Sequence, residues 1–204
     1  MDNNTVDYNI PSKPISDLPP EYQNITFHMI FDVNMGKKFR GKSQFVAYGP
    51  NNKSPEATTY SSVVSRDSVQ IAPKIAALNG LDVLACDIQN AYLMADCRER
   101  VWVVAGTEFG YEAGKNMLVR KTLYGSKISG VAFRAFLVEN LDEMSYLPSY
   151  ADPYLWLRPE LKLDSFEYYE YILSYVDNVL CISNKPRKLM KMIQEDFKLK
   201  YDKI

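Results

Sequence analysis

Near the C-terminus the residues Tyr175-Val176-Asp177-Asn178 stand between two short apolar stretches, 171–176 and 179–183. Two such runs about a pair of small polar residues read as antiparallel strands joined by a tight turn, with Asp177 and Asn178 at its tip. Asp and Asn suit that place because they tolerate the left-handed backbone of short hairpin loops. Upstream, Leu84-Ala85-Cys86-Asp87-Ile88 reads as a buried strand that ends on a carboxylate. Two strands that deliver carboxylates to one place build a site for divalent cations. Asp87 and Asp177 are the two evident acids. Asn178 offers an amide oxygen but no charge, which weakens a site for hard cations. Each residue also has a plain structural reading: a turn for Asp177-Asn178, a strand end or cap for Asp87.

The rest of the chain predicts alternating strands and helices. Residues 1–24 are rich in Asn, Pro, Ser and Asp and read as a tail or linker. Strands are expected at 25–33, 39–48, 83–87, 101–104, 117–120 and 154–157, the last stopped by Pro159. Ser65 or Asp67 caps a helix that runs to about Asn79, with Gly80 as its stop and Pro73 as a kink or a late start. Residues 89–93 form a short helical turn. Phe133, Phe136, Leu137 and Leu141 recur at helical spacing within 126–144. Pro186 opens a final helix striped by Leu189, Ile193 and Phe197. Hairpin strands mixed with long helices make the fold class α+β.

Composition narrows the functional classes. The 204 residues are 47% apolar, enough for a real core. With 24 basic against 25 acidic residues there is no global basic field, so nucleic-acid binding would rest on local patches. Lys185, Arg187, Lys188 and Lys191 form one such cluster, equally readable as a solvated helix face. Three cysteines and one histidine are too few for a structural zinc site and point to a reducing compartment. No signal peptide or membrane-spanning run is evident, so a soluble intracellular chain is expected.

Several stretches together resemble the reverse transcriptases of copia-type retrotransposons. They are Arg40-Gly41-Lys42-Ser43-Gln44-Phe45-Val46-Ala47, then Tyr60-Ser61-Ser62-Val63-Val64-Ser65-Arg66, then Asp87-Ile88-Gln89-Asn90-Ala91-Tyr92-Leu93. They continue in Leu123-Tyr124-Gly125-Ser126-Lys127, Ala151-Asp152-Pro153-Tyr154-Leu155 and Tyr175-Val176-Asp177-Asn178. The resemblance implies a right-hand polymerase with an antiparallel palm sheet and the thumb missing. Fingers would span about 25–80 and 101–150, and palm about 81–100 and 151–204. It implies a catalytic set of Asp87, Asp177 and Asn178, in which Asp87 and Asp177 hold Mg²⁺ or Mn²⁺. Arg40 and Lys42 would meet the triphosphate, and Tyr92 would crowd the 2′-hydroxyl of a ribonucleotide.

The partners implied are an RNA or DNA primer-template, deoxynucleoside triphosphates and other Pol domains. No membrane is implied, and the place is the cytoplasm, a virus-like particle or the nucleus. The chain also departs from the family pattern. Asn178 replaces a second aspartate, and Ile128 and Val131 stand where glutamine and arginine are usual. These replacements, with truncation, imply an impaired RNA-directed DNA polymerase. The alternative is a non-catalytic retroelement remnant that only binds nucleic acid or a protein partner.

Overall fold

A computed structural model describes Val6–Asp7 and residues 22–34, 40–48 and 61–200. In chain order come strands β1 (Val6–Asp7), β2 (Gln23–Asn24), β3 (Thr26–Asn34) and β4 (Arg40–Tyr48). Helix α1 (Arg66–Leu78), strand β5 (Asp82–Ile88) and the single turn α2 (Ala91–Met94) follow. Next are β6 (Val101–Val104), a 3₁₀ turn at Thr107–Glu112, β7 (Asn116–Val119) and helix α3 (Ser129–Glu143). The chain goes on through β8 (Leu147–Pro148), β9 (Leu155–Leu161), β10 (Glu167–Tyr175) and β11 (Asn178–Ser183). Helix α4 (Pro186–Asp196) and β12 (Leu199–Lys200) complete the mixed α+β order. No helix among the described residues is long and apolar enough to cross a membrane.

The chain divides into two compact units, Met1–Tyr60 with Tyr92–Phe133, and Ser61–Ala91 with Arg134–Ile204. In the first, β1-β7-β6-β2 form one sheet and β3 pairs antiparallel with β4. Its core joins Ile25, Ala47, Val103 and Met117, with Phe27 and Phe109 packed against it. The Leu123-Tyr124-Gly125 stretch docks on β4, where Ala47 N–H donates to Tyr124 O at 2.7 Å. Gly125 has φ +82°, and a Cβ there would lie 2.4 Å from Ala47 O. Glycine is thus required twice over, by the left-handed backbone and by the close approach of β4.

In the second unit six antiparallel strands lie in the order β12-β5-β11-β10-β9-β8. Successive side chains along a strand point to opposite faces. On β11, Val179, Cys181 and Ser183 are all buried on one face, while the other runs from exposed Asn178 through half-buried Leu180 to buried Ile182. Helices α1 and α4 pack against β5 and β11. Leu189, Ile193 and Phe197 are each 1% exposed, so the predicted stripe is the buried face of α4 and its C-terminal cap. Each such side chain contributes roughly 1.5–3 kcal/mol of burial.

Two expectations about proline need correction. Pro73 neither delays nor breaks α1, which starts after its Ser65 cap and runs unbroken to Leu78. Strand β9 does not stop at Pro159 but continues to Leu161, with Pro159 opposite Tyr169. On its other side β9 meets β8 only at Trp156 and Leu157. A residue without an N–H is tolerated at such an open edge.

Candidate active site

The hairpin loop falls one residue earlier than the sequence suggests. Strands β10 and β11 pair as far as Tyr175 and Asn178, leaving Val176-Asp177 as the two-residue loop. The positive φ falls on Val176, at 56°, and not on Asp177 or Asn178. Positive φ at the first loop residue only is the pattern of a type II′ turn, a place that favours glycine. A β-branched residue there stores roughly 1–3 kcal/mol of backbone strain. Asp177 thus holds the second loop position, and Asn178 is the first residue of β11.

Strand β5 brings the upstream acid to this turn. Asp87 is the direct antiparallel partner of Asn178, and Ile88 N–H donates to Asp177 O at 2.7 Å. Residues paired in this way share a face, with Cβ atoms about 4.5–5.5 Å apart. Asn178 Nδ2 donates to Asp177 Oδ1 at 3.1 Å. One carboxylate oxygen of Asp177 is therefore engaged by the Asn178 amide. Asp87 and Asp177 are half-buried and Asn178 is exposed.

On the other flank of β5, Lys200 of β12 pairs with Asp87. This cation beside the acids escaped the sequence reading, because a two-residue strand leaves no alternation to detect. Among the described residues no cluster of three or more His, Cys, Asp or Glu side chains is placed to hold a metal ion.

Cys86 and Cys181 lie behind the acids on the buried face. Burial first, and the Asp87 charge second, push the Cys86 thiol up to about 11. Burial drives Cys181 well above the usual thiol range, aided by Cys86 and Glu170. Both are core residues and not nucleophiles. On the exposed side a hollow of about 740 Å³ opens beside Asn178, walled by Val64, Val69, Leu173 and Leu180, with Arg66 and Tyr175 also lining it. The hollow lies along the hairpin flank that faces the start of α1.

At the other end of the hairpin a buried ionic cluster was invisible in the sequence. Glu170, 5% exposed, accepts from Tyr146 Oη at 2.9 Å, from Arg158 Nη2 at 2.6 Å and from Ser183 Oγ. Burial works to raise the Glu170 carboxyl, but the bonds from Ser183, Arg158 and Tyr146 and the Arg158 charge hold it below the usual range. The Arg158 guanidinium also lies 4.6 Å from the centre of the Tyr146 ring.

Of the remaining candidates, Tyr92, Arg40, Lys42, Ile128 and Val131 belong to the first unit. Tyr92 is half-buried, with its ring edge-on to Tyr124 at 4.8 Å and to Phe133 at 6.1 Å. Its carbonyl accepts from Thr122 Oγ1. Arg40 and Lys42 lie in β4 opposite Asn34 and Asp32, and their side chains fall outside the described part of the structure. Ile128 is buried and Val131 half-buried. Lys185, Arg187, Lys188 and Lys191 are all exposed around the start of α4.

The sequence model of the family described as reverse transcriptase (RNA-dependent DNA polymerase) matches residues 13–203. The retrovirus-related Pol polyprotein from transposon TNT 1-94 of Nicotiana tabacum is 26% identical over 145 residues, 70% of this chain and 10% of that protein. The corresponding polyprotein from transposon RE1 of Arabidopsis thaliana is 27% identical over 158 residues, 76% of this chain and 10% of that protein. The chain spans about a tenth of the length of these relatives. With nearly all of its length matched, the chain belongs to the reverse transcriptase family.

Proposed function

We propose that this chain is the fingers-and-palm part of a copia-type RNA-directed DNA polymerase, with Asp87 and Asp177 as its metal-holding acids. On this reading the palm, about 81–100 and 151–204, falls mostly in the second compact unit, and the fingers, about 25–80 and 101–150, mostly in the first. The observation that carries the reading is the register that sets Asn178 against Asp87 at a turn whose second residue is Asp177. Antiparallel strands with acids at one end are what nucleotidyl transfer needs, because the cations must be held close together, roughly 3.5–4 Å apart.

The residues present suit a hard cation in part. Two carboxylates are good ligands for Mg²⁺ or Mn²⁺, and water can complete the shell. When bound, the ion would acidify the primer hydroxyl and stabilise charge on the phosphates. Asp87 and Asp177 supply two negative charges, and Asn178 supplies none. Its Nδ2 donates to Asp177 Oδ1, which diverts that oxygen from a cation. The site is therefore impaired relative to one with three acids. On the resemblance alone, Arg40 and Lys42 take the triphosphate and Tyr92 the sugar edge of the incoming nucleotide.

The test is Mg²⁺- and Mn²⁺-dependent primer extension on an RNA template, with Asn178→Asp and Asp87→Asn run beside the unaltered chain. Extension that Asp87→Asn abolishes, or that appears only with Asn178→Asp, supports the assignment. Silence from every form, with salt-sensitive binding of primer-template, would leave a nucleic-acid-binding remnant.

A further inference from the structure

Ser174 lies just before Tyr175, three residues ahead of Asp177, and is 3% exposed. Strand β9 pairs with β10 only as far as Leu155 opposite Leu173. One residue further on, both backbone groups of Ser174 would be buried without a strand partner, at a cost of about 1–3 kcal/mol each. Instead Ser174 N–H donates to Tyr154 O at 3.1 Å, and Val64 N–H donates to Ser174 O at 3.2 Å. Two loop segments thus take over where β9 stops.

Both segments are gripped by one side chain. Tyr154 N–H donates to Asp152 Oδ1 at 3.0 Å, and Ser65 N–H donates to Asp152 Oδ2 at 2.8 Å. Ser68 Oγ donates to the same Oδ2 at 2.6 Å. The path runs from Asp152 through Tyr154, Ser174, Val64 and Ser65 back to Asp152, and closes on itself. Asp152 is 5% exposed.

We propose that Asp152 is a positioning residue for the Asp177 turn, its carboxylate closing a hydrogen-bonded ring that fixes β10 where the loop begins. Ser174 faces Val179 in the register, so the ring also sets the start of β11 and the Asn178–Asp87 pairing. The ring borders the hollow beside Asn178, where Val64 and Leu173 are among its walls. Its role toward metal rests on the polymerase reading above; its role toward the hairpin does not. Asparagine at this position keeps the shape but provides a single acceptor oxygen where the ring needs two. Ser68→Ala removes one bond to Asp152 and leaves the ring closed.

The experiment is amide hydrogen exchange by NMR together with Mn²⁺ titration followed by water-proton relaxation. The chain is compared with Asp152→Asn, Ser68→Ala and Leu141→Ala, the last a truncation of a buried α3 residue that lowers stability without removing a member of the ring. In the unaltered chain the amides of Val64, Ser65, Tyr154 and Ser174 should exchange as one group. In Asp152→Asn, exchange from Ser174 to Val179 should rise about tenfold or more, with Mn²⁺ bound several-fold more weakly. Ser68→Ala and Leu141→Ala should leave the hairpin amides at their unaltered rates relative to global unfolding. The proposal is overturned if the four amides exchange independently, or if Asp152→Asn loosens only the start of α1. It is equally overturned if Leu141→Ala loosens the hairpin to the same degree. Absence of Mn²⁺ binding in the unaltered chain overturns the metal assignment, and the exchange pattern then decides the ring on its own.

Discussion

Asn178 donates its side-chain amide to the carboxylate of its neighbour Asp177 while its backbone faces Asp87 in the adjacent strand. One residue thus joins the two acids, and on the polymerase reading proposed above it takes the place of a third. Asn178→Asp replaces a donor by a charge and puts three carboxylates in one small region. Without divalent ions the like charges should destabilise the chain by about 0.5–1 kcal/mol. Added Mg²⁺ should raise the melting temperature of the variant more than that of the unaltered chain. Calorimetry with and without Mg²⁺ checks this, and equal shifts for both proteins would remove Asn178 from the site.

The strained turn leads to a second expectation. Val176 carries φ 56°, which glycine adopts freely. Val176→Gly should stabilise the chain by about 1 kcal/mol, strain relief outweighing the greater unfolded-state freedom of glycine. Urea unfolding reads it directly; a midpoint below that of the unaltered chain would mean that the valine side chain holds the turn by contact.

The Glu170 cluster ties stability to pH. The Glu170 carboxyl is held below its ordinary value, so its contribution is fully present above the unfolded value of about 4.3. That contribution is lost as pH falls through the lower folded value. Arg158→Ala leaves Glu170 buried without its cation and should cost about 3–5 kcal/mol at neutral pH. The loss should shrink as the medium is acidified, because the stranded carboxylate can then take up a proton. Unfolding free energies of both proteins between pH 7 and pH 4 test the sign.

The thiols give a prediction that needs no activity. Cys86 and Cys97 are both pushed up to about 11, chiefly by burial, and Cys181 is fully buried. Near pH 7.5 the thiolate fraction of the first two is about a hundredfold below that of a free cysteine. Alkylation of the native chain by iodoacetamide should be slower by that order and become rapid in denaturant. Fast labelling of the folded chain at Cys86 would contradict the packing behind the acids.

Much of this arrangement was legible in the sequence where the signal is local. The stripe of α4, the cap and stop of α1, the strand around Asp87 and the Asp177 hairpin all follow from periodicity and end residues. The turn was misplaced by one residue because the preference of Asp and Asn for left-handed backbone was the available guide. Pairing of β11 with β5, sealed by the bond from Ile88 to Asp177, overrides that preference and places the strain on valine. Glu170 escaped notice because its partners Tyr146, Arg158 and Ser183 come from three other parts of the chain. Asp152 stood in a recognised stretch, yet nothing near it in sequence announces that it reaches Ser65, 87 positions away.

That separation has a consequence for the order in which the molecule assembles. The β10–β11 hairpin closes over two residues, whereas the bond from Ser65 to Asp152 joins residues 87 positions apart, with the first unit's Tyr92–Phe133 inside the loop. Local contacts form with little loss of chain entropy, and distant ones are delayed. The hairpin should therefore exist before its fastening, with the turn free to relax until the last contacts lock. Disruption at Asp152 should then quicken unfolding and leave the refolding rate nearly unchanged, which stopped-flow kinetics across a urea series would read from the two limbs.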